Sequence, residues 1–209
     1  FCVARPFVAP HYSVSKISLI GGGANPKPGD ISLASYGVLF LDELPEFDRS
    51  KIESLRGPLE DRKIVINRLG AKVTYPCNFM LVASMNPCPC GYYGDESRCN
   101  CTEGAVRRYL SKISGPIVDR FDVQVEVSNV KFEGLVTSSK EETSDQIRAR
   151  VSTARDIQID RYKNENIFSN SELTPALLNK YCVINEKSKK IIEKFFESAS
   201  LSARAYTNS

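Results

Sequence analysis

Between Gly37 and Phe47 the chain reads GVLFLDELPEF: four apolar residues, Val38 to Leu41, run directly into two carboxylates, Asp42 and Glu43. A short continuous apolar run after a glycine predicts a strand buried on both faces, as in a parallel sheet. Upstream, Phe7 and Val8 predict a short strand. The stretch GGGANPKPGD, Gly21 to Asp30, predicts an irregular exposed loop punctuated by glycine and proline. Downstream, Asp48 is placed to cap a helix with apolar positions Ile52, Leu55 and Leu59, interrupted or kinked at Gly57-Pro58. KIVIN and KVTYP, joined by RLGA, put Ile64 and Ile66 on one face and predict a β-hairpin. Phe79 to Ser84 predicts a second buried strand, ending in the polar residues Ser84 and Asn86. A helix near Ala105 to Lys112 and a strand over VQVEV (123–127) follow.

From about Lys131 the texture changes. SSKEETSDQ is polar and linker-like, and the remainder has helical period. Ile147, Val151, Ala154 and Ile157 form one stripe; Ile191, Ile192, Phe195, Phe196 and Ala199 form another. The expected organisation is an α/β unit over 1–130 and a helical unit over 131–209. There is no internal repeat and no low-complexity tract.

Composition adds mostly exclusions. With 209 residues, 42% hydrophobic and 25% charged, the chain is an ordinary globular one. A net charge of +3 gives no broad basic field, so any nucleic-acid surface must be local. No apolar run reaches the length of a membrane span, and the N-terminus lacks a signal-peptide pattern. The chain opens at Phe1 without a methionine and ends in what reads as the start of a helix, so it is expected to be part of a longer protein.

A carboxylate at the C-terminal edge of a parallel strand sits where open α/β sheets bind ligands. Asp42 there can hold Mg²⁺ through oxygen, and Glu43 can polarise an attacking water, the Walker-B arrangement of nucleotide hydrolases. The plainer alternative is a strand that meets solvent and caps the next helix with acid. Asn86, at the end of the next strand, can position the same water. Arg120, in GPIVDRFD, can act as an arginine finger toward a neighbouring subunit's γ-phosphate, or form a salt bridge with Asp119 or Asp122.

The order GVLFLDELPEF, LRGPLEDRKIVINRLGAKVTYP, FMLVASMNPCPCGYYGD and RRYLSKISGPIVDRFD resembles the magnesium-chelatase-like AAA+ ATPases of the ComM/YifB type. The opening RPFVAPHYSVSKISLIGGGANPKPGDISLA and the closing LSARAY resemble it too, so the likeness spans nearly the whole chain. It implies a partial AAA+ P-loop core followed by a truncated helical lid. It also implies an ATP- and Mg²⁺-dependent cytoplasmic motor that forms a homo-oligomeric, hexameric ring and acts on DNA as a branch-migration helicase. By position, Asp42 and Glu43 match the Walker-B pair, Asn86 sensor 1, Arg120 the finger, and Arg204 in LSARAY the sensor-2 arginine. The hairpin at 63–76 and the loop GGGANPKPGD match elements that project toward the ring pore. That puts Lys27, Arg68 and Lys72 beside DNA phosphates; the alternative is three solvated loop residues.

Some features depart from the pattern. No GxxxxGK[ST] occurs, and the family carries that phosphate loop upstream of RPFVAP, so this chain alone is expected to be inactive and to bind ATP weakly. The family usually reads APHH where this chain has His11 and Tyr12; His11, the only histidine, is expected to be a hydrogen-bonded scaffold residue. Cys88 and Cys90 with Cys99 and Cys101 can close a tetrahedral Zn²⁺ site, or remain reduced free thiols. Cys2, Cys77 and Cys182 are expected to be small buried residues. Two rival functions stay open: a chelatase motor that inserts Mg²⁺ into a porphyrin, and a zinc-bearing DNA-binding module without ATPase activity.

Overall fold

The computed structural model describes residues 4–68, 71–95, 97–127 and 142–199. The chain divides into two units, Phe1–Gln124 and Val125–Ser209.

The first unit is α/β. Three parallel strands, β1 (Phe7–Val8), β4 (Val38–Leu41) and β7 (Met80–Ala83), lie in the order β1-β4-β7. Phe7 pairs with Val38, Val38 with Met80, and Leu41 with Ala83. On one face Leu39 and Leu41 join a buried cluster with Leu19, Ile31, Ala34, Ile52, Leu55 and Ile117. These come from α1 (Lys16–Ile20), α2 (Asp30–Leu33) and the residue after it, α3 (Arg49–Glu53) and the turn after it, and α6 (Gly115–Val118). The other face is not buried as the sequence suggested. Phe7 is 68% exposed and Met80 65% exposed, and Val82 is exposed too. An apolar run shows that a strand has two apolar faces; whether both are covered depends on what packs there.

Other expectations need correction. Gly21 to Asp30 is not simply an irregular loop: β2 (Gly21–Gly22) pairs antiparallel with β3 (Lys27–Pro28). Asp48 occupies the N-cap of α3 (Arg49–Glu53), but its side chain makes no capping bond. Its carboxylate pairs instead with Lys51 at 2.8 Å, and that buried ammonium also donates to the Tyr12 carbonyl at 3.0 Å. The predicted helix is broken at Ser54–Leu55, and Gly57-Pro58 lies inside the next helix, α4 (Arg56–Asp61). Residues 123–127 form no strand, and Val123, Val125 and Val127 are exposed. Alternation alone cannot make a strand without a partner edge.

The hairpin follows its alternation: β5 (Lys63–Arg68) pairs with β6 (Ala71–Pro76), Ile64 and Ile66 are buried, and Val65 is exposed. Helix α5 (Glu103–Leu110) is capped by Thr102, whose Oγ1 accepts from the Ala105 amide at 3.3 Å.

The second unit is helical in its described residues: Ser144–Arg161, Pro175–Tyr181 and Glu186–Ala199. Thr143 and Gln146 form a reciprocal capping box at the first of these. The stripe of Ile147, Val151, Ala154 and Ile157 is largely exposed, so helical spacing did not mark a buried face. The centre of the unit is Tyr162, which is buried, meets Tyr181 edge-on at 5.1 Å and donates to Asn170 Oδ1 at 2.9 Å. Ile191 is exposed; the side chains of Phe195, Phe196 and Ala199 lie outside the described residues, as does Cys2. Cys182 is exposed rather than buried, while Cys77 is buried and its thiol is pushed up to about 11, by burial first and then by the nearby Asp61. Among the described residues no helix is long and apolar enough to cross a membrane.

Candidate functional site

The central strand delivers its two carboxylates at its C-terminal end. Asp42 and Glu43 follow Leu41 directly and both are exposed. The neighbouring strand brackets them: the Ser84 amide donates to the Leu41 carbonyl at 3.1 Å, and the Leu44 amide donates to the Ser84 carbonyl at 2.9 Å. The Ser84 hydroxyl donates to Asp42 Oδ1. The Glu43 amide reaches the same Oδ1 at 3.1 Å and Ser84 Oγ at 3.2 Å. These bonds fall on one oxygen of Asp42, which leaves Oδ2 for a metal ion or a metal-bound water. An exposed carboxylate oxygen fits the hard-oxygen preference of Mg²⁺.

Glu43 is turned out of the strand path. Its backbone is left-handed, with φ 54° and ψ 49°, a conformation uncommon for a residue with a side chain. Asp42 and Glu43 therefore point differently although adjacent, an arrangement that suits a metal ligand beside a water-directing base. The conformation costs about 1–3 kcal/mol and persists because the surrounding bonds fix it.

Asn86 stands two residues beyond Ser84 and is exposed. Helix α5 returns to it through Tyr109, which is buried. The Tyr109 hydroxyl is pushed up, by burial first, then by Glu46; Glu43 and Cys88 act in the same direction, and hydrogen bonding from the Asn86 main chain opposes them. Lys112 lies over the Tyr109 ring at 5.6 Å and meets Glu46 at 3.8 Å. Ser84, Tyr109 and Lys112 were not assigned from sequence. A serine two residues short of Asn86 carried a signal only once the strand register was known.

Arg120 follows α6. It makes neither of the expected salt bridges: its guanidinium pairs with Glu60 on α4 and donates to the Pro116 carbonyl. Its side chain is 7% exposed. Arg204 lies outside the described residues.

The two elements assigned to a pore meet each other. The Tyr75 hydroxyl on β6 donates to the Pro26 carbonyl at 2.7 Å, and Ile66 on β5 packs beside Gly21. Lys27 and Lys72 are exposed on these elements, with Lys72 opposite Asn67. Arg68 stands opposite Ala71 at the end of the ladder, and its side chain is outside the described residues. His11 accepts the scaffold role: its Nδ1 lies 2.7 Å from Ser13 Oγ.

The four cysteines of the 88–101 segment converge. Their sulfurs all lie within 4.8 Å of one another. Cys88 is 3.3 Å from Cys90 and 3.9 Å from Cys99, and Cys90 is 3.6 Å from Cys99. A tetrahedron with 2.3 Å zinc–sulfur bonds has edges of about 3.8 Å. A disulfide would need about 2.05 Å. Burial pushes the Cys88 thiol up, but hydrogen bonding from Cys90, Cys101 and Cys99 outweighs it and brings Cys88 down to about 6. Main-chain hydrogen bonding from Cys90 acts to lower Cys101, while the Cys90 thiol, burial and Cys88 raise it to about 11.

Fold and site together define an α/β core of the P-loop AAA+ kind, with a parallel sheet whose central strand ends in an acidic pair. Family models agree along the chain: residues 1–135 match "Magnesium chelatase, subunit ChlI" and residues 141–209 match "Magnesium chelatase, subunit ChlI C-terminal". The chain is 45% identical over 204 residues to "Competence protein ComM" of Haemophilus influenzae, covering 97% of this chain and 39% of that one. It is 40% identical over 205 residues to YifB of Escherichia coli, with the same coverage of 97% and 39%. A "Magnesium-chelatase 67 kDa subunit" of Chlorobaculum parvum is 27% identical over 155 residues, covering 68% of this chain and 23% of that one. The chain belongs to the ComM/YifB group of magnesium-chelatase-like AAA+ proteins, and it spans about two fifths (39%) of the length of the first two relatives.

Proposed function

We propose that this chain is part of a cytoplasmic ATP-hydrolysing AAA+ motor that acts on DNA, in the manner of a branch-migration helicase assembled as a hexameric ring. The observation that carries the ATP-hydrolysing part of the reading is the Asp42–Ser84–Glu43 arrangement at the end of the central parallel strand, and the DNA part is supported by the likeness to "Competence protein ComM". Residues 1–130 serve as the part of the ATPase core held here and 131–209 as its lid, in which Arg204 takes the sensor-2 role.

Bound Mg²⁺–ATP supplies the phosphoanhydride and the metal that neutralises its phosphates. Asp42 would hold the metal through Oδ2, since its Oδ1 is engaged by Ser84 and the Glu43 amide. Glu43 accepts hydrogen bonding from the attacking water, and Asn86 orients that water from the neighbouring strand end. Arg120 acts in trans on the next subunit's nucleotide. Lys27, Arg68 and Lys72 face DNA phosphates, a role supported by the contact between the two elements that carry them. The four cysteines hold zinc, supported by sulfur separations close to those of a thiolate tetrahedron.

The chelatase reading is supported by the descriptions of the two family models and by the more distant relative. The ComM-type reading is favoured by higher identity over nearly the whole chain. Glu43→Gln in the complete protein tests the core of the proposal. It is expected to bind ATP with wild-type affinity and to lose at least about a hundredfold in turnover, since it acts on the water in the transition state. Wild-type turnover in that variant sinks the assignment.

A further inference from the structure

The segment from Cys88 to Cys101 has no helix or strand among its described residues, yet it connects two parts of the nucleotide site. Its start is tied to Asn86. Cys88 is buried two residues later, and its carbonyl accepts from the Gly91 amide at 3.0 Å. Gly91, at φ 84°, brings the turn back beside the asparagine: a Cβ there would stand 3.9 Å from both Asn86 Cγ and Oδ1. Its end is tied to α5, because Thr102, the capping residue, follows Cys101 directly. The path runs from Asn86 through the cysteines directly into α5, and the sulfur cluster is the point where the two arms of this circuit meet.

We propose that the four-cysteine cluster, closed on zinc, is the clamp that positions Asn86 at the strand end. Four thiols give little binding energy to one another, whereas metal binding contributes directly to ordering the chain that supplies the ligands. Zinc therefore fixes both arms of the circuit at once, and Asn86 lies on the shorter arm. The functional meaning of the clamp rests on the role given to Asn86 above, whereas the clamp itself concerns metal and chain order.

The test uses the complete protein, purified under reducing conditions without chelator. Elemental analysis is expected to find about one zinc per chain. Amide hydrogen exchange is then compared with and without zinc on the same wild-type protein. Peptides covering 84–88 and 103–110 are expected to lose at least about tenfold in protection when zinc is removed and to regain it on adding zinc back. The β5–β6 hairpin is expected to stay protected throughout. Cys90→Ser, at an exposed ligand, is expected to reproduce the zinc-free pattern. Absence of zinc uptake by four reduced thiols overturns the proposal, and so does unchanged protection of 84–88 after zinc removal. If zinc controls protection but the wild-type protein hydrolyses no ATP, the clamp stands and the ATPase reading falls. If zinc controls protection but hydrolysis is equally fast with and without it, the clamp stands and the catalytic role given to Asn86 falls.

Discussion

Gly37→Ala isolates the close approach that seats the central strand. A Cβ at Gly37 would stand 1.9 Å from the Pro6 carbonyl oxygen, 2.7 Å from Pro6 Cγ and 2.8 Å from Pro6 C. Ordinary contact begins at 3.4 Å, so β1 would have to retreat by 3.4 − 1.9, or 1.5 Å. That move breaks the bond from the Val38 amide to the Pro6 carbonyl, now 2.9 Å, and the pairing of Phe7 with Val38 and Val8 with Leu39. Losing two main-chain hydrogen bonds costs about 2 kcal/mol, and partly uncovering Val8 and Leu39 costs about 1 kcal/mol more. The stiffer unfolded chain returns about 0.5 kcal/mol. The net loss of about 2.5 kcal/mol corresponds to a melting point lower by roughly 10 °C for a unit of this size. Gly104→Ala is the control. Its Cβ would meet only the Arg108 side chain, at 3.8 Å, and alanine in α5 is expected to gain about 0.5–1 kcal/mol. Scanning calorimetry reads both variants. The reasoning fails if Gly37→Ala melts within about 1 °C of the wild type, or if the two variants shift in the same direction.

Ser84→Ala removes the hydroxyl that donates to Asp42 Oδ1. A hydrogen bond to a charged group contributes about 1.5–3 kcal/mol, so Mg²⁺-dependent turnover of the complete protein is expected to fall at least about tenfold. Steady-state ATPase assays check this, and an unchanged rate removes Ser84 from the site. For DNA, the double variant Lys27→Ala and Lys72→Ala is expected to flatten the dependence of log affinity on log salt by about 0.9 for each phosphate that is no longer neutralised. Fluorescence anisotropy with duplex DNA at several salt concentrations measures the slope; an unaltered slope assigns these lysines to ordinary solvated surface.

The parts of the fold legible in the sequence were those governed by local pattern. VLFL followed by two acids marked a strand and its functional end, and Ile64 and Ile66 flanking Val65 marked the hairpin and its buried side. What the sequence did not disclose depends on distant partners. Phe7, Met80 and Val82 look like core residues because apolar character is local, whereas their exposure is set by the tertiary packing. VQVEV has strand alternation but pairs with no strand among the described residues. Ser84 gained its meaning from the pairing of Leu41 with Ala83, and Lys51 from a carbonyl 39 positions away in sequence. The cysteines were legible as two pairs, but their convergence depends on a loop without regular structure.

Arg120 shows how such a distant partner changes a local reading. Its neighbours Asp119 and Asp122 made a short-range salt bridge the simple expectation, yet its partner is Glu60, sixty positions away. Glu60 lies at the end of α4, directly before the hairpin, so this pair links the foot of α6 to the root of β5. Under the proposed function, an arginine that reaches a neighbour's phosphate must first leave this carboxylate. The exchange is balanced: one anionic partner replaces another, and Glu60, whose side chain is 45% exposed, returns to water without being stranded. The Nε of Arg120, buried and without a hydrogen-bond partner among the described residues, makes its present seat less than fully satisfied. Engagement of nucleotide at one subunit boundary would thus release the tie at the base of the hairpin proposed to face DNA, which gives the two sites a shared residue through which to communicate.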